Sequence, residues 1–115
     1  MAARAHAPGA PRPVRVALAT DDNPGSSRTE NLPLMASMGA ARMGLSCAEA
    51  WRAITANAAA ALGLAEEAGS LVPGGRADIA ILRIPDFRSL IYHFGVNHTE
   101  AVIAGGVVAA RGIAS

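Results

Sequence analysis

The sequence predicts an α/β chain in which one apolar strand feeds two helices and a separate small β unit follows. Three observations carry that reading. VRVALAT (14–20) alternates weakly and then turns continuously apolar and small, as a strand buried on both faces does. Between residues 32 and 62 apolar side chains recur at helical spacing. After Gly69 the period becomes that of short strands. At 115 residues the chain holds one modest domain and is too short for two. Its hydrophobic fraction of 51% overstates the core, because much of it is Ala. Bulky apolar residues are spread thinly over short elements. That is the composition of a piece of a larger domain, with a small helical domain as the alternative.

Residues 1–13, MAARAHAPGAPRP, are rich in Ala, Pro and Arg and lack acids, a transit-peptide-like composition. The Pro residues break any amphipathic helix, so a disordered tail, or a start inside a longer frame, is the better reading. His6, within it, is given no role. The strand from Val14 ends at Asp21. Pro24 fixes φ and Gly25 is expected to supply the positive φ of a type II turn at Asn23–Ser26. Ser27 or Thr29 then caps a helix over Leu32–Met43, with Leu34, Met35, Met38 and Ala41 on its apolar face. Ser46 and Glu49 form a capping box for a second helix. Its face is Ala50, Trp51, Ile54, Ala58, Ala61 and Leu62, and Gly63 is its stop. Asn57, in mid-helix, reads as bonded to a neighbouring loop rather than as catalytic. Leu71-Val72 and DIAILRI (78–84) read as strands joined by the Pro-Gly-Gly turn at 73–75. A turn or short helix at Phe87–Tyr92 comes next, then a hairpin over 101–109 pivoting on Gly105-Gly106.

Charge excludes some classes of function. Ten cations and nine anions, scattered singly, form no basic stripe, so no nucleic acid is expected as partner. Every cation is Arg, which with the Ala and Gly excess reads as coding bias. Trp51, Phe87, Tyr92 and Phe94 are too dispersed for a base-stacking platform. No apolar run approaches the roughly 18 to 20 residues of a membrane span, so a soluble chain with no membrane partner is expected. The single Cys47 excludes an internal disulfide and fits a reducing cytoplasm. It reads as a buried or half-buried thiol at a helix start rather than a nucleophile.

ALATDDNPGSS (17–27) is the stretch that calls for chemistry. A loop that only reverses the chain has no need of Asp21, Asp22, Asn23, Ser26 and Ser27 so close together. In a parallel α/β barrel, catalytic groups sit at the C-terminal ends of the strands. A carboxylate there can ligate a divalent metal and take a proton from metal-bound water. Asp is also a common turn former, and on spacing alone the turn reading is the stronger.

Four segments change the balance: ATDDNPGSS, TANAAAALGL (55–64), GSLVPGGRADIAIL (69–82) and YHFGVN (92–97). Together they resemble the C-terminal part of imidazolonepropionase, an amidohydrolase-superfamily enzyme of histidine degradation, from about Val14 onward. The G-x-L-x-x-G-x-x-A-D-I block is shared across the superfamily. T-D-x-N-P-G-S and Y-H-F-G-x-N are more specific to imidazolonepropionase.

The resemblance implies a fold and a site. It makes residues 14–68 the last strand and helices of an amidohydrolase-type (β/α) barrel, and 69–115 part of a small composite β-sandwich domain, an incomplete fold. It implies that Asp21 is a metal ligand and the catalytic proton acceptor, and that Asn23, Gly25 and Ser26 contact the substrate. Asp22 falls at a variable, solvated position. The metal implied is zinc or iron. The reaction implied is hydrolysis of imidazolone propionate to N-formimidoyl-L-glutamate. The superfamily's H-x-H pair is not among His6, His93 and His98, and the latter two read as structural or solvent-facing. A whole barrel takes about 250 residues. The chain alone is therefore expected to be inactive, to self-associate, or to need a missing upstream barrel segment. The alternatives are another cyclic-amide or amidine hydrolase, such as a deaminase or dihydroorotase-like enzyme, or a non-catalytic remnant or assembly module.

Overall fold

The computed structural model describes residues 14–112, so the predicted tail at 1–13 and His6 lie outside the described residues. From Val14 to Thr20 the chain is extended, with Val16 and Leu18 buried and Arg15, Ala17 and Ala19 exposed. It is not a sheet strand. Among the described residues nothing extended runs beside it, and a ladder needs such a neighbour. Two bonds to the helices hold it instead. The Leu18 amide donates to the Ala53 carbonyl at 3.0 Å, and Asn57 Nδ2 donates to the Val16 carbonyl at 2.9 Å. The expected strand buried on both faces is thus an extended segment buried on one.

Helix α1 spans Leu32–Met43, as the spacing predicts. Its cap is neither Ser27 nor Thr29 but Asn31, whose Oδ1 accepts from the Leu34 amide at 3.0 Å. Asn outranks Thr as a cap and sits directly before the first turn. Thr29 Oγ1 accepts from the Asn31 amide, and so steadies the cap residue. The helix turns Ala36, Ser37 and Gly39 inward, while Met38 and Ala41 of the predicted face are exposed. Small side chains let the backbone approach its neighbours closely.

The second predicted helix is two. Its start holds: Ser46 Oγ accepts from the Glu49 amide and Glu49 Oε2 accepts from the Ser46 amide, the reciprocal capping pair. Helix α2 covers Cys47–Ala53 and helix α3 covers Ala56–Ala61. Between them Thr55 lies at φ −124°, ψ −99°, and its hydroxyl donates to the Trp51 carbonyl at 2.8 Å. A continuous helix would give that carbonyl to the Thr55 amide; here the amide bonds Arg52 instead. Two β-branched residues in succession, Ile54 and Thr55, also weaken the helix where it breaks. Ala61 and Leu62, expected on the apolar face, are exposed.

Leu71 and Val72 form no strand and lie exposed, although the Pro-Gly-Gly turn after them is present, with the Gly75 amide bonded to the Val72 carbonyl at 3.0 Å. Strands β1 (Ile79–Leu82), β2 (Thr99–Ala104) and β3 (Val107–Arg111) make an antiparallel sheet in that order. The β2–β3 hairpin turns on Gly105-Gly106, at φ 56° and 82°, a pair of positive values that only glycine adopts freely. Asp78 Oδ1 accepts from the Gly105 amide at 2.7 Å and ties the turn to the start of β1. Between β1 and β2 the short helix α4 (Arg88–Tyr92) buries Leu90 and Ile91 and packs on α1 and α2. Ile91 thereby joins Val16, Leu18, Ala36, Leu45, Ala50 and Ala53 in one core. Trp51 of α2 meets Phe87 edge-on at 6.3 Å between ring centroids, a contact of about 1 kcal/mol beyond burial.

Candidate functional site

The extended segment delivers its end, Asp21, to the surface. Asp21 is the one non-glycine described residue with positive φ, at 50°. Asp tolerates the left-handed region better than most side chains, yet such positions concentrate where structure serves function. Asn23 organises the loop after it. Its Oδ1 accepts from the Gly25 and Ser26 amides, both at 2.9 Å, and its Nδ2 donates to the Asp21 carbonyl at 2.5 Å and to Ser26 Oγ at 3.1 Å. Both donors and both lone-pair sites of the amide are therefore engaged within the loop. The Asn23 amide also bonds the Ser27 carbonyl at 2.7 Å, and Ser27 Oγ donates to the Thr20 carbonyl at 2.6 Å.

The turn is not type II, because Gly25 is not among the glycines of positive φ. The Asn23 side chain, rather than glycine's freedom, closes it. Gly25 serves by being small: a Cβ there would stand 3.3 Å from Asn23 Oδ1. Asp21, Asn23, Gly25 and Ser26 thus come together in one loop, as the sequence predicts. The bracing role of Ser27 was readable only as a possible helix cap. Asp22 is exposed, as expected.

Asn57 is half-buried and bonded to Val16, in line with the reading that ties it to a neighbouring segment. Cys47 is half-buried. His93 is exposed; His98 is half-buried, its Nε2 2.9 Å from the His93 carbonyl and its ring 5.1 Å from that of His93. A carbonyl only accepts, so in a hydrogen bond at that distance Nε2 is the donor.

A concavity lies elsewhere. An open groove of about 1260 Å³ runs between α1 and α4 and includes Met38, Cys47, Arg83, Tyr92 and His98, but none of the loop residues. Its Asp86 and Arg88 are bonded to each other at 2.8 Å, and that guanidinium holds the Asp86 carboxyl below its ordinary value. Among the described residues no hydrogen bond joins its Cys47 to a histidine. The Asp21 loop is the better candidate because its polar groups converge.

Among the described residues no three of His, Cys, Asp or Glu gather as a metal would require. A catalytic divalent metal takes three or more protein ligands. Asp21 supplies one, so the described residues do not by themselves fit a metal centre.

Known proteins resemble the chain over most of its described length. The chain is 53% identical over 95 residues to imidazolonepropionase of Geobacillus kaustophilus, covering 83% of the chain and 22% of that protein. Against imidazolonepropionase of Bacillus velezensis it is 50% identical over 103 residues, covering 88% and 24%. The chain therefore spans less than a quarter of the length of these curated relatives. Among solved structures it resembles an amidohydrolase from Thermotoga maritima, with a TM-score of 0.58 and 27% identity over 71% of this chain and 20% of that one. The model of the amidohydrolase family matches residues 3–109. With nearly its whole length matched, the chain belongs to the amidohydrolase family.

Proposed function

We propose that the chain forms the C-terminal portion of an imidazolonepropionase-like hydrolase, acting in the cytoplasm on imidazolone propionate. Residues 14–68 belong in this reading to the end of a (β/α) barrel and residues 69–115 to a composite β-sandwich domain. The observation that carries the reading is the loop: a carboxylate at the end of a buried extended segment, beside an amide and a hydroxyl ordered by one asparagine. Asp21 is the residue contributed to the family's divalent metal, zinc or iron, and the acceptor of the proton released in hydrolysis of the ring C–N bond. Gly25 and Ser26 face the substrate. Contact with Asn23 requires it to exchange one loop hydrogen bond for one to the substrate.

The test joins this chain to the preceding portion of a full-length relative, such as the Geobacillus kaustophilus enzyme, in the presence of zinc or iron. Release of N-formimidoyl-L-glutamate from imidazolone propionate is the expected result. The 115-residue chain alone is expected to give no turnover above background, because the described residues supply a single candidate ligand. A folded, metal-loaded joined enzyme that left imidazolone propionate intact, yet hydrolysed another cyclic amide or amidine, would favour the deaminase or dihydroorotase-like alternative.

A further inference from the structure

The segment that ends in Asp21 has no strand neighbour among the described residues, so something else must fix its height and register. The helix break supplies it. Had α2 run on through residue 57, the Ala53 carbonyl would accept from the Asn57 amide. Because the helix breaks at Thr55, that carbonyl is free to accept from the Leu18 amide at 3.0 Å. The same break sets Asn57 in the first turn of α3, with its Nδ2 2.9 Å from the Val16 carbonyl. The two bonds grip residues two apart, whose side chains are both buried. Alternate residues of an extended chain share a face, so gripping both excludes a slip by one residue. The next fixed point is the Thr20 carbonyl, held by Ser27 Oγ at 2.6 Å.

We infer that Asn57 is a positioning residue for Asp21: its amide, with the carbonyl freed at Ala53, sets the register of the segment that presents the carboxylate. The inference rests on the proposed role of Asp21, and it adds a residue 36 positions away in sequence that touches neither substrate nor Asp21. Asn57 is half-buried, and its side chain hydrogen-bonds to the segment from α3. A register error moves every side chain of the segment to the opposite face, and Asp21 with them.

The experiment compares amide exchange, residue by residue, in the full chain and in Asn57→Ala and Asn57→Asp; the second keeps the volume but removes the donor. The Leu18 and Asn23 amides are expected to exchange about tenfold faster in both variants, while the Ala50 amide inside α2 and the β2–β3 amides keep their rates. In the joined enzyme described above, kcat is expected to fall about tenfold with KM little changed, as loss of alignment at the reacting group does. Unchanged Leu18 and Asn23 exchange overturns the inference. So does a uniform acceleration across α2 and the sheet, or failure of both variants to fold, since either makes Asn57 a general packing residue. Selective loosening with kcat unchanged upholds the register role and sinks the catalytic reading of Asp21 instead.

Discussion

Two adjacent carboxylates, Asp21 and Asp22, are both exposed, and backbone geometry separates them. Asp21 takes positive φ and its carbonyl accepts from Asn23, a constraint that Asp22 does not share. Asn adopts the left-handed region as readily as Asp, so Asp21→Asn is expected to leave stability within about 0.5 kcal/mol. In the joined enzyme the same change is expected to lower turnover about a thousandfold, because it removes a proton acceptor. Asp22→Asn is expected to be mild in both measurements. An essential Asp22 with a dispensable Asp21 would show the site displaced by one position. Gly25→Ala is the gentler probe, since its new methyl presses on Asn23 Oδ1 from 3.3 Å. It is expected to weaken substrate binding more than it destabilises the chain. At this scale the gathering of these residues in one loop was legible in the TDDNPGSS run. The turn type was not, because Asn23 can close a loop by itself whatever Gly25 permits.

The elements written in adjacent residues are those the sequence predicts well. The Ser46–Glu49 capping pair and the Gly105-Gly106 hairpin each need only neighbours in sequence to declare themselves. The break at Thr55 rests on a local side-chain bond that the apolar periodicity running through it does not mark, and the lone segment at 14–20 depends on partners far along the chain. Gly69 shows the same dependence. It sits at φ 84° against the break, and a Cβ there would lie 2.7 Å from Ala59 Cβ and 2.9 Å from the Thr55 carbonyl. Those are rigid neighbours, one of them backbone. Gly69→Ala therefore combines left-handed strain with overpacking and is expected to cost roughly 2 to 4 kcal/mol, read as a lower urea midpoint at unchanged slope. Asn31→Ala, which removes only the α1 cap, is expected to cost about 1 kcal/mol. A larger loss for Asn31 than for Gly69 would mean that the break is not packed as described.

Across the whole molecule, what is buried and what is exposed are out of balance. The core combines Ala36, Ala50 and Ala53 with only four bulky members, Val16, Leu18, Leu45 and Ile91. Each of those larger side chains contributes about 1.5 to 3 kcal/mol when buried, which is modest against the entropy of ordering the chain. Meanwhile Leu71, Tyr92, Phe94 and Val107 are all more than half exposed, at 75%, 89%, 64% and 68%. Both outer strands of the sheet, β1 and β3, have an unpaired edge among the described residues, and β3 is exposed along its length. A net charge of +1 offers little repulsion between copies. Apolar surface and open edges at low charge favour association. The chain on its own is therefore expected to sediment as species heavier than a monomer, increasingly so with concentration, and to unfold over a broad temperature range. A charge on the open edge opposes strand pairing, so Val107→Lys is expected to shift sedimentation toward the monomer without altering the helical core. A chain that sedimented as a monomer at all concentrations and melted in one sharp transition would show that the exposed faces need no cover, and would count against its being part of a larger hydrolase fold.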